Sequence, residues 1–280
     1  MLEFSRAPNC VLAADNISKS FGAVPVLFSV NFDINAGEVH ALIGENGAGK
    51  STLIKILAGF HQPTSGQVYL DGAETTLPPN GKAEDLGIVL IHQELNLAEQ
   101  MTVEENIFLG RELTHHGFLD RVSMRKQVKK QLEEIGLDIL PTARVSDLSI
   151  AQKQMVEITK AINRNARVLI MDEPTAVLTE SETELLFNQV RRLKEQGVAF
   201  VFVSHKLVEV KEIADRITIL RDGQWIGTKP ASDLSLDDMA QMMVGRELSD
   251  LYPPVNEVNI DANIVLKTTK LTTPVLHDVS

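Results

Sequence analysis

The segment "GENGAGKST", from Gly44 to Thr52, carries glycines, a lysine and hydroxyls at the spacing that binds nucleotide phosphates. It fits G-x-x-x-x-G-K-[ST] and lies between the predicted strand "EVHALI" and the predicted helix "STLIKILAG", which is the context that this pattern requires. The glycines let backbone N–H groups and the helix N-terminus face the phosphates. We predict that Lys50 holds the β- and γ-phosphates and that Ser51 ligates Mg²⁺. The alternative, a glycine-rich loop without a ligand, is disfavoured because the whole pattern occurs in the correct context.

Two carboxylates, Asp172 and Glu173, follow the apolar run "VLIM". We predict that Asp172 holds Mg²⁺ through a water molecule and that Glu173 orients or deprotonates an attacking water. Acidic pairs at strand ends are common, so this pair is weak evidence alone. Beside a phosphate-binding loop in the same sheet, it indicates hydrolysis of a nucleoside triphosphate.

Two further polar residues follow predicted strands, Gln93 after "GIVLIH" and His205 at the end of "VAFVFVSH". Open α/β sheets bind ligands at the carboxyl ends of their strands. Gln93 is expected to contact Mg²⁺ and the attacking water. A neutral His205 is expected to donate a hydrogen bond to the γ-phosphate. Each residue alone is more typical of a structural role, and their positions at strand ends favour the functional one.

The stretch "LSIAQ" starts a helix in a way that also suits an anion. Ser149 and Gln152 have the spacing of a capping box, in which each side chain satisfies the backbone N–H group of the other. The N-terminus of this helix would be a second anion-binding site. The anion there would be a phosphate other than the one that the glycine-rich loop holds.

These residues require an α/β fold, and the patterns predict one. Short β-branched runs alternate with helical patterns, which favours a sheet with parallel strands covered by helices. Two N-terminal segments and "RITILRDGQWIGTK" alternate polar and apolar residues and predict antiparallel strands, the last with a hairpin turn at Asp222-Gly223. The buried strands are predicted at residues 38–43, 87–92, 167–172 and 198–205.

The order of these patterns predicts one large domain and the start of another. The first spans residues 9–247, with a core over 9–93 and 163–247 and a helical subdomain over 94–162. A linker is predicted over 248–263, where prolines and polar residues lack periodicity. The last stretch, 264–280, echoes the opening strands weakly and predicts the beginning of a second copy.

Composition excludes several classes of function. The 280 residues carry a net charge of −11, which argues against non-specific binding to nucleic acid or anionic lipid. The basic stretch "RVSMRKQVKKQLEE" is better explained as a solvated helix face. One cysteine, Cys10, is compatible with a reducing compartment. We expect neither a membrane-spanning segment nor a secretory signal, and therefore expect a cytoplasmic protein.

Together these motifs resemble those of the ATP-binding-cassette (ABC) ATPases, over roughly residues 9–246. "GENGAGKST" looks like the Walker A motif, "VLIMDE" the Walker B motif, and "LSIAQ" the signature motif. Gln93 matches the Q-loop, His205 the switch histidine, and Phe21 the aromatic residue that stacks on adenine. Without the resemblance, Phe21 is a core residue of an edge strand. The resemblance implies ATP binding by Phe21, Gly44, Glu45, Asn46, Gly47, Ala48, Gly49, Lys50, Ser51 and Thr52.

The resemblance narrows to the first half of the tandem ATPase subunits of bacterial sugar importers, through "LSIAQKQMVEITKAI", "MDEPTAVLTE", "SHKLVEV" and "MVGREL". It implies an ATPase that powers import of ribose or a related monosaccharide from the cytoplasmic face of the bacterial inner membrane. It also implies three partners, namely a second cassette, membrane permease subunits and a periplasmic sugar-binding protein. The permease is expected to contact residues 93–110, "QELNLAEQMTVEENIFLG".

Two departures from the general family pattern stand out. Ile150 and Ala151 replace the two glycines of the usual Leu-Ser-Gly-Gly-Gln signature. By the resemblance, Leu148, Ser149, Ile150, Ala151 and Gln152 would receive the γ-phosphate of a partner site, and a side chain at either replaced position is expected to crowd that phosphate or to leave it fewer contacts. Thr179 occupies the loop after Walker B, where the family usually has Asp.

Two other functions compete with sugar import. A soluble twin-cassette ATPase acting on ribosomes or DNA usually needs basic surfaces or long charged linkers, which the charge of −11 and the short linker disfavour. The third candidate is a module that binds a nucleotide without hydrolysing it. Glu173, the predicted residue for activating water, argues against this function, whereas Ala151 in the signature motif leaves it possible.

Overall fold

The computed structural model describes residues 9–78, 82–92, 95–134, 136–245 and 269–270. The chain divides into two compact units, Met1–Arg246 and Glu247–Ser280. Every element below belongs to the first unit. The predicted linker and, apart from residues 269 and 270, the predicted start of a second copy lie outside the described residues.

The first unit alternates strands and helices. The strands are β1 (Cys10–Phe21), β2 (Val24–Asn35), β3 (Val39–Ile43), β4 (Ser65–Leu70), β5 (Ala73–Glu74), β6 (Ile88–Ile91), β7 (Thr114–His115), β8 (Phe118–Leu119), β9 (Val168–Asp172), β10 (Ala199–Val203), β11 (Arg216–Arg221) and β12 (Gln224–Pro230). The helices are α1 (Lys50–Leu57), α2 (Val103–Phe108), α3 (Arg121–Glu134), α4 (Ile150–Asn163), α5 (Glu180–Glu195), α6 (Leu207–Ile213) and α7 (Leu236–Val244). Within the described parts of the chain, no helix has the length and apolar character to span a bilayer.

Ten strands form one sheet in the order β5-β4-β1-β2-β12-β11-β3-β10-β9-β6. The strands from β11 to β6 run parallel, and β1, β2, β4 and β5 pair antiparallel. Successive residues of β3 face opposite sides, so that Ala41 and Ile43 join the core under α2 to α7 while Leu42 joins the core under α1. Both faces of the parallel strands are therefore covered, as their continuous apolar sequences predict. The α/β fold class with an antiparallel part and an inserted helical part is confirmed.

The structure corrects the predicted elements at three places. β11 pairs antiparallel with β12 across the predicted hairpin, but it also pairs parallel with β3 and buries Ile217–Leu220, so the predicted solvent face is absent because β11 joins the two halves of the sheet. The inserted part, predicted as helical only, contains the hairpin β7–β8. β4, which the sequence patterns did not predict, begins with Ser-Gly and buries only Val68, so its strand signal is weak.

A chain of side-chain hydrogen bonds runs through the centre of the sheet. Trp225 Nε1 donates to Thr228 Oγ1 at 3.1 Å, and the Thr228 and Thr218 hydroxyls lie 2.6 Å apart. His40 Nε2 lies 2.8 Å from Thr218 Oγ1, and His40 Nδ1 lies 2.6 Å from the carbonyl oxygen of Asp33. A carbonyl can only accept, so Nδ1 carries the proton and Nε2 accepts from Thr218. Burial lowers the pKa of His40 to about 3 and keeps the ring neutral.

We predict that this histidine makes folding stability depend on pH. Between about pH 6.5 and pH 3 the unfolded chain protonates His40 and the folded chain does not, so stability is complete above this window and falls as the pH falls through it. His40 alone should remove about 2 kcal/mol from the free energy of unfolding between about pH 7.5 and pH 5. Urea unfolding at the two pH values measures the loss. His40→Gln is the control and should weaken the pH dependence by that amount; equal slopes in the two proteins would contradict the prediction.

Candidate functional site

The glycine-rich loop connects β3 to α1, and two of its glycines, Gly44 and Gly49, lie where a side chain would meet neighbouring atoms. Gly49, which precedes the first residue of α1, has a φ of 97°, and a Cβ there would lie 2.5 Å from Leu27 Cδ2. A Cβ at Gly44 would overlap the carbonyl oxygen of Leu220. The loop therefore keeps its backbone close to β2 and β11 while its other side faces an open cleft.

Lys50 lies buried within this loop. Its Nζ donates to the carbonyl oxygens of Gly44 at 2.8 Å and Glu45 at 3.1 Å. Burial lowers the pKa of Lys50, and the nearby carboxylates of Glu173 and Asp172 act in the opposite direction. The loop therefore holds a cation at its centre, which is the charge that a polyphosphate needs.

A cleft of about 330 Å³ brings the predicted phosphate-binding and acidic residues together. β9 carries Asp172 to this cleft because β9 lies two places from β3 in the sheet, with β10 between them. Burial and the Glu173 carboxylate raise the pKa of Asp172, while the Lys50 ammonium lowers it. The residues that line the cleft are Val26, Asn46, Gly47, Gly49, Lys50, Ser51, Thr52, Asp172 and Glu173.

The oxygen atoms of this cleft fit Mg²⁺ better than a softer metal. Ser51 and Asp172 supply a hydroxyl and a carboxylate to the same cleft. Mg²⁺ is usually bound by one or two such protein groups together with water and phosphate oxygens. The described residues contain no group of three or more His, Cys, Asp or Glu side chains placed to hold a metal. The donor set thus suits a metal that arrives with a phosphate ligand.

Glu173 and His205 are in direct contact at the end of β9 and β10. His205 Nδ1 lies 2.9 Å from Oε1 and 2.8 Å from Oε2 of Glu173, and Glu173 N donates to the carbonyl of Val203 at 2.9 Å. Glu173 has a φ of 50°, a left-handed conformation that costs a residue with a Cβ about 1–2 kcal/mol. The sequence patterns predict that His205 contacts the γ-phosphate; the structure places its Nδ1 on the carboxylate.

These two residues line a second cleft of about 640 Å³, together with Gly44, Glu45, Asn46 and Met243. Sequence reasoning missed Met243, because a methionine at helical spacing in α7 indicates only a core residue. It also missed Val26, which lines the smaller cleft from β2. Neither residue type carries a chemical signal that would reveal it.

Gln93 lies outside the described residues, and its predicted contacts with Mg²⁺ and water remain a prediction. The strand before it is described. Ile91 of β6 pairs with Met171 of β9, so β6 ends beside Asp172. His92, the last described residue here, lowers the pKa of Asp172 as a minor contribution.

The predicted capping box at the start of α4 is confirmed. Gln152 N donates to Ser149 Oγ at 3.2 Å, and Ser149 N donates to Gln152 Oε1 at 2.9 Å. Ile150 is 49% exposed, whereas Ala151 is 4% exposed and Leu148 packs against the core. The methyl group of Ala151 is buried within the protein, so Ile150 is the more exposed of the two replacements, and the expected crowding of a phosphate stays a prediction.

We predict that Ala151→Gly lowers stability and leaves ATP turnover unchanged. The substitution removes a buried methyl group and lowers helix propensity, which together cost about 1–2 kcal/mol. Urea unfolding measures the cost, and steady-state turnover in the assembled protein tests the second part. A turnover that rises several-fold would show that the Ala151 methyl group does obstruct the phosphate. Ile150→Gly is the matched comparison, because it makes the same kind of substitution at the neighbouring position, where the side chain is half exposed and not buried.

Thr179, the residue that departs from the usual Asp, has a structural task. It caps α5, where Glu182 N donates to Thr179 Oγ1 at 3.4 Å and Thr179 N donates to Glu182 Oε2 at 3.0 Å. This capping box explains why a threonine fits at this position.

Phe21 lies at the end of β1 and is 44% exposed. Its ring makes an edge contact with His61 at 5.3 Å between centroids, and Lys19 Nζ lies 5.0 Å from its centroid. Phe21 does not line either of the two clefts described above. Its exposure permits stacking on a base, and the predicted contact with adenine remains a prediction.

Residues 27–176 match the family model described as ABC transporter. The chain is 51% identical over 238 residues to the ribose import ATP-binding protein of Chromobacterium violaceum, which covers 85% of this chain and 47% of that protein. It is 48% identical over 272 residues to a putative ribose/galactose/methyl galactoside import ATP-binding protein of Agrobacterium fabrum, covering 96% of this chain and 53% of that protein. A xylose import ATP-binding protein of Escherichia coli is 47% identical over 264 residues, and the match covers 94% of this chain and 51% of that protein. The chain thus spans about half the length of these relatives.

Solved structures show the same fold. An ATP-binding cassette of an ABC transporter in its ADP conformation superposes with a TM-score of 0.74 at 29% identity, covering 85% of this chain and 99% of that one. A dimeric cassette in a post-hydrolysis state, bound to ADP and Pi, superposes with a TM-score of 0.66 at 26% identity. This match covers 79% of this chain and 98% of that one.

Proposed function

The chain belongs to the ABC transporter family of ATP-binding proteins, and from this premise we propose that it hydrolyses ATP to power import of a monosaccharide, with ribose as the expected sugar. One observation carries the proposal. A single cleft gathers the buried ammonium of Lys50, the hydroxyl of Ser51 and the carboxylates of Asp172 and Glu173. No simpler binding role needs a cation, two hydroxyl- or carboxylate-type metal donors and a further carboxylate in one place.

The residues divide the chemistry among them. Lys50 exchanges its contacts with loop carbonyls for the β- and γ-phosphates of ATP. Ser51, Asp172 and Gln93 would hold Mg²⁺, Asp172 through a water molecule, and the ion would neutralise charge on the phosphate oxygens. Phe21 stacks on the adenine ring. The loop from Gly44 to Thr52 binds the phosphates of ATP, as predicted from the sequence.

Glu173 and His205, which are in contact, carry out the hydrolytic step in this proposal. Glu173 takes a proton from water, whose oxygen bonds to the γ-phosphorus as the bond to the ADP oxygen breaks. His205 orients the Glu173 carboxylate in the structure. It donates a hydrogen bond to the γ-phosphate as charge develops there.

The signature segment serves a different ATP. Leu148, Ser149, Ile150, Ala151 and Gln152 are absent from the lining of both clefts beside the glycine-rich loop. We therefore propose that the N-terminus of α4 faces an ATP held by a second cassette, either in the same natural chain or in a dimer. A related solved cassette is dimeric with ADP and Pi bound.

The remaining partners follow from the sugar-import relatives. We propose permease subunits that contact residues 93–110, and a periplasmic sugar-binding protein that acts through the complex. The chain then lies peripherally on the cytoplasmic face of the bacterial inner membrane. Three relatives are import ATP-binding proteins for ribose, xylose and a ribose/galactose group, which supports a monosaccharide and leaves ribose as our choice among them.

The test is reconstitution of the full natural chain with its neighbouring permease in vesicles. We expect Mg²⁺-dependent phosphate release that increases when sugar-loaded binding protein is enclosed, with ribose ahead of xylose and galactose. The Glu173→Gln protein is the control for contaminating ATPases. Co-sedimentation with ribosomes without capture of a permease would instead support a soluble twin-cassette function.

A further inference from the structure

A cluster of hydrogen-bonded polar side chains, one buried and two partly buried, joins the two loops that carry Glu173 and His205. Thr175 Oγ1 donates to Glu209 Oε2, and Lys206 Nζ donates to the carbonyl oxygen of Thr175 at 2.8 Å and to Glu209 Oε1 at 3.0 Å. We call Thr175, Lys206 and Glu209 the loop clamp. It links the segment after β9 to the first turn of α6.

The loop clamp is centred on a buried residue and extends toward the surface. Thr175 is 1% exposed, whereas the side chains of Glu209 and Lys206 are 16% and 37% exposed. Lys206 N also donates to Ser204 Oγ at 3.1 Å, and Ser204 is itself buried. Hydrogen bonds to charged groups are stronger than those between neutral groups. Removing one partner of such a bond at a buried site therefore costs more free energy.

The loop clamp lies next to residues whose geometry needs support. Thr175 is two residues from Glu173, and Lys206 directly follows His205. Glu173 adopts a left-handed conformation, which persists only where the surrounding structure holds it. The Glu173–His205 contact spans two separate loops, so its distance depends on whatever connects them. The loop clamp adds a side-chain connection to the backbone hydrogen bond that Glu173 N donates to the carbonyl oxygen of Val203.

We propose that Thr175, Lys206 and Glu209 are positioning residues for ATP hydrolysis, which hold the Glu173 carboxylate and the His205 imidazole at their working separation. The inference rests on the proposed function, since it assigns Glu173 and His205 to the hydrolytic step. The loop clamp touches neither cleft, so it acts on turnover and not on nucleotide binding. A misplacement of about 1 Å at a reacting group can cost about 100-fold in rate.

The test compares Thr175→Val, Thr175→Ser and Glu209→Gln in the reconstituted full-length transporter. Thr175→Val removes the hydroxyl at nearly constant volume and should lower kcat roughly 10-fold, with KM and the Kd for Mg·ATP within about 2-fold of wild type. Thr175→Ser keeps the hydroxyl and should restore kcat to within about 2-fold. Glu209→Gln weakens the pairing with Lys206 and should also lower kcat.

Glu212→Gln is the matched control. Glu212 lies one turn further along α6 and joins it to α5 through Arg191, at 2.8 Å, away from the two loops. Its loss should leave kcat unchanged. A variant that only loosened the fold would lower the unfolding midpoint and weaken nucleotide binding together, so both are measured for every variant.

The outcomes separate this inference from the proposed function. Wild-type kcat in Thr175→Val and Glu209→Gln, with Glu173→Gln inactive, overturns the loop clamp and leaves the function intact. A matching loss of binding and kcat in both variants also overturns it, as a structural role. If Thr175→Val does not fold, Glu209→Gln decides. Undiminished turnover in Glu173→Gln instead overturns the proposed function itself.

Discussion

Glu173→Gln is expected to bind Mg·ATP with wild-type affinity and to lose ATP hydrolysis by a factor of about 10²–10⁴. Glutamine keeps the shape of the side chain and can still contact His205, but it cannot accept a proton from water. The left-handed backbone of Glu173 is as accessible to glutamine as to glutamate, so the loop should keep its conformation. Equilibrium binding of a fluorescent ATP analogue and steady-state phosphate release measure the two quantities.

The control for this experiment is Glu184→Gln, an exposed glutamate of α5, which should change neither quantity. A Glu173→Gln protein with full turnover would remove Glu173 from the hydrolytic step. A protein with neither binding nor turnover would show that the carboxylate supports the nucleotide cleft and not the attacking water.

Lys50→Met is expected to weaken Mg·ATP binding by about 100-fold or more. The ammonium contributes charge-assisted hydrogen bonds worth about 1.5–3 kcal/mol each, and a methionine supplies none. Because Lys50 also donates to the carbonyls of Gly44 and Glu45, the free protein should lose about 1–3 kcal/mol of stability as well. Isothermal titration with Mg·ATP measures the affinity, and urea unfolding measures the stability.

Lys55→Met serves as the matched control, because Lys55 is one of the basic residues of the same helix. It should change the affinity by less than about 3-fold, because Lys55 lines neither of the two clefts. Equal losses in the two variants would mean that general positive charge, and not the position of Lys50, attracts the nucleotide. An unchanged affinity in Lys50→Met would contradict the assignment of the loop.

The parts of the fold that the sequence predicted correctly rest on local or periodic patterns. The glycine-rich loop lies between β3 and α1 as expected, and the capping box of Ser149 and Gln152 forms with both of its hydrogen bonds. The continuous apolar runs became the buried parallel strands. β4 was missed because only Val68 of that strand is buried, so its exposed residues show no alternation.

Contacts between distant segments could not be predicted in the same way. The distance between Glu173 and His205 depends on β9 lying beside β10, and the role of β11 depends on its parallel pairing with β3. Sequence order does not specify either neighbour, since strand order is set by how the whole chain buries its apolar surface. Met243 entered the site by the same route, through the packing of α7.

The residue types and their spacing over less than a dozen positions were therefore sufficient to identify a phosphate-binding loop, a strand ending in two carboxylates and a capped helix. These features form from hydrogen bonds and backbone conformations within one segment, and any chain with those residues tends to form them. The orientation of Ala151 toward the core, the contact of His205 with Glu173 and the loop clamp between Thr175, Lys206 and Glu209 needed the folded protein. They join residues from separate elements, and only the common packing of those elements in one sheet brings the atoms within bonding distance.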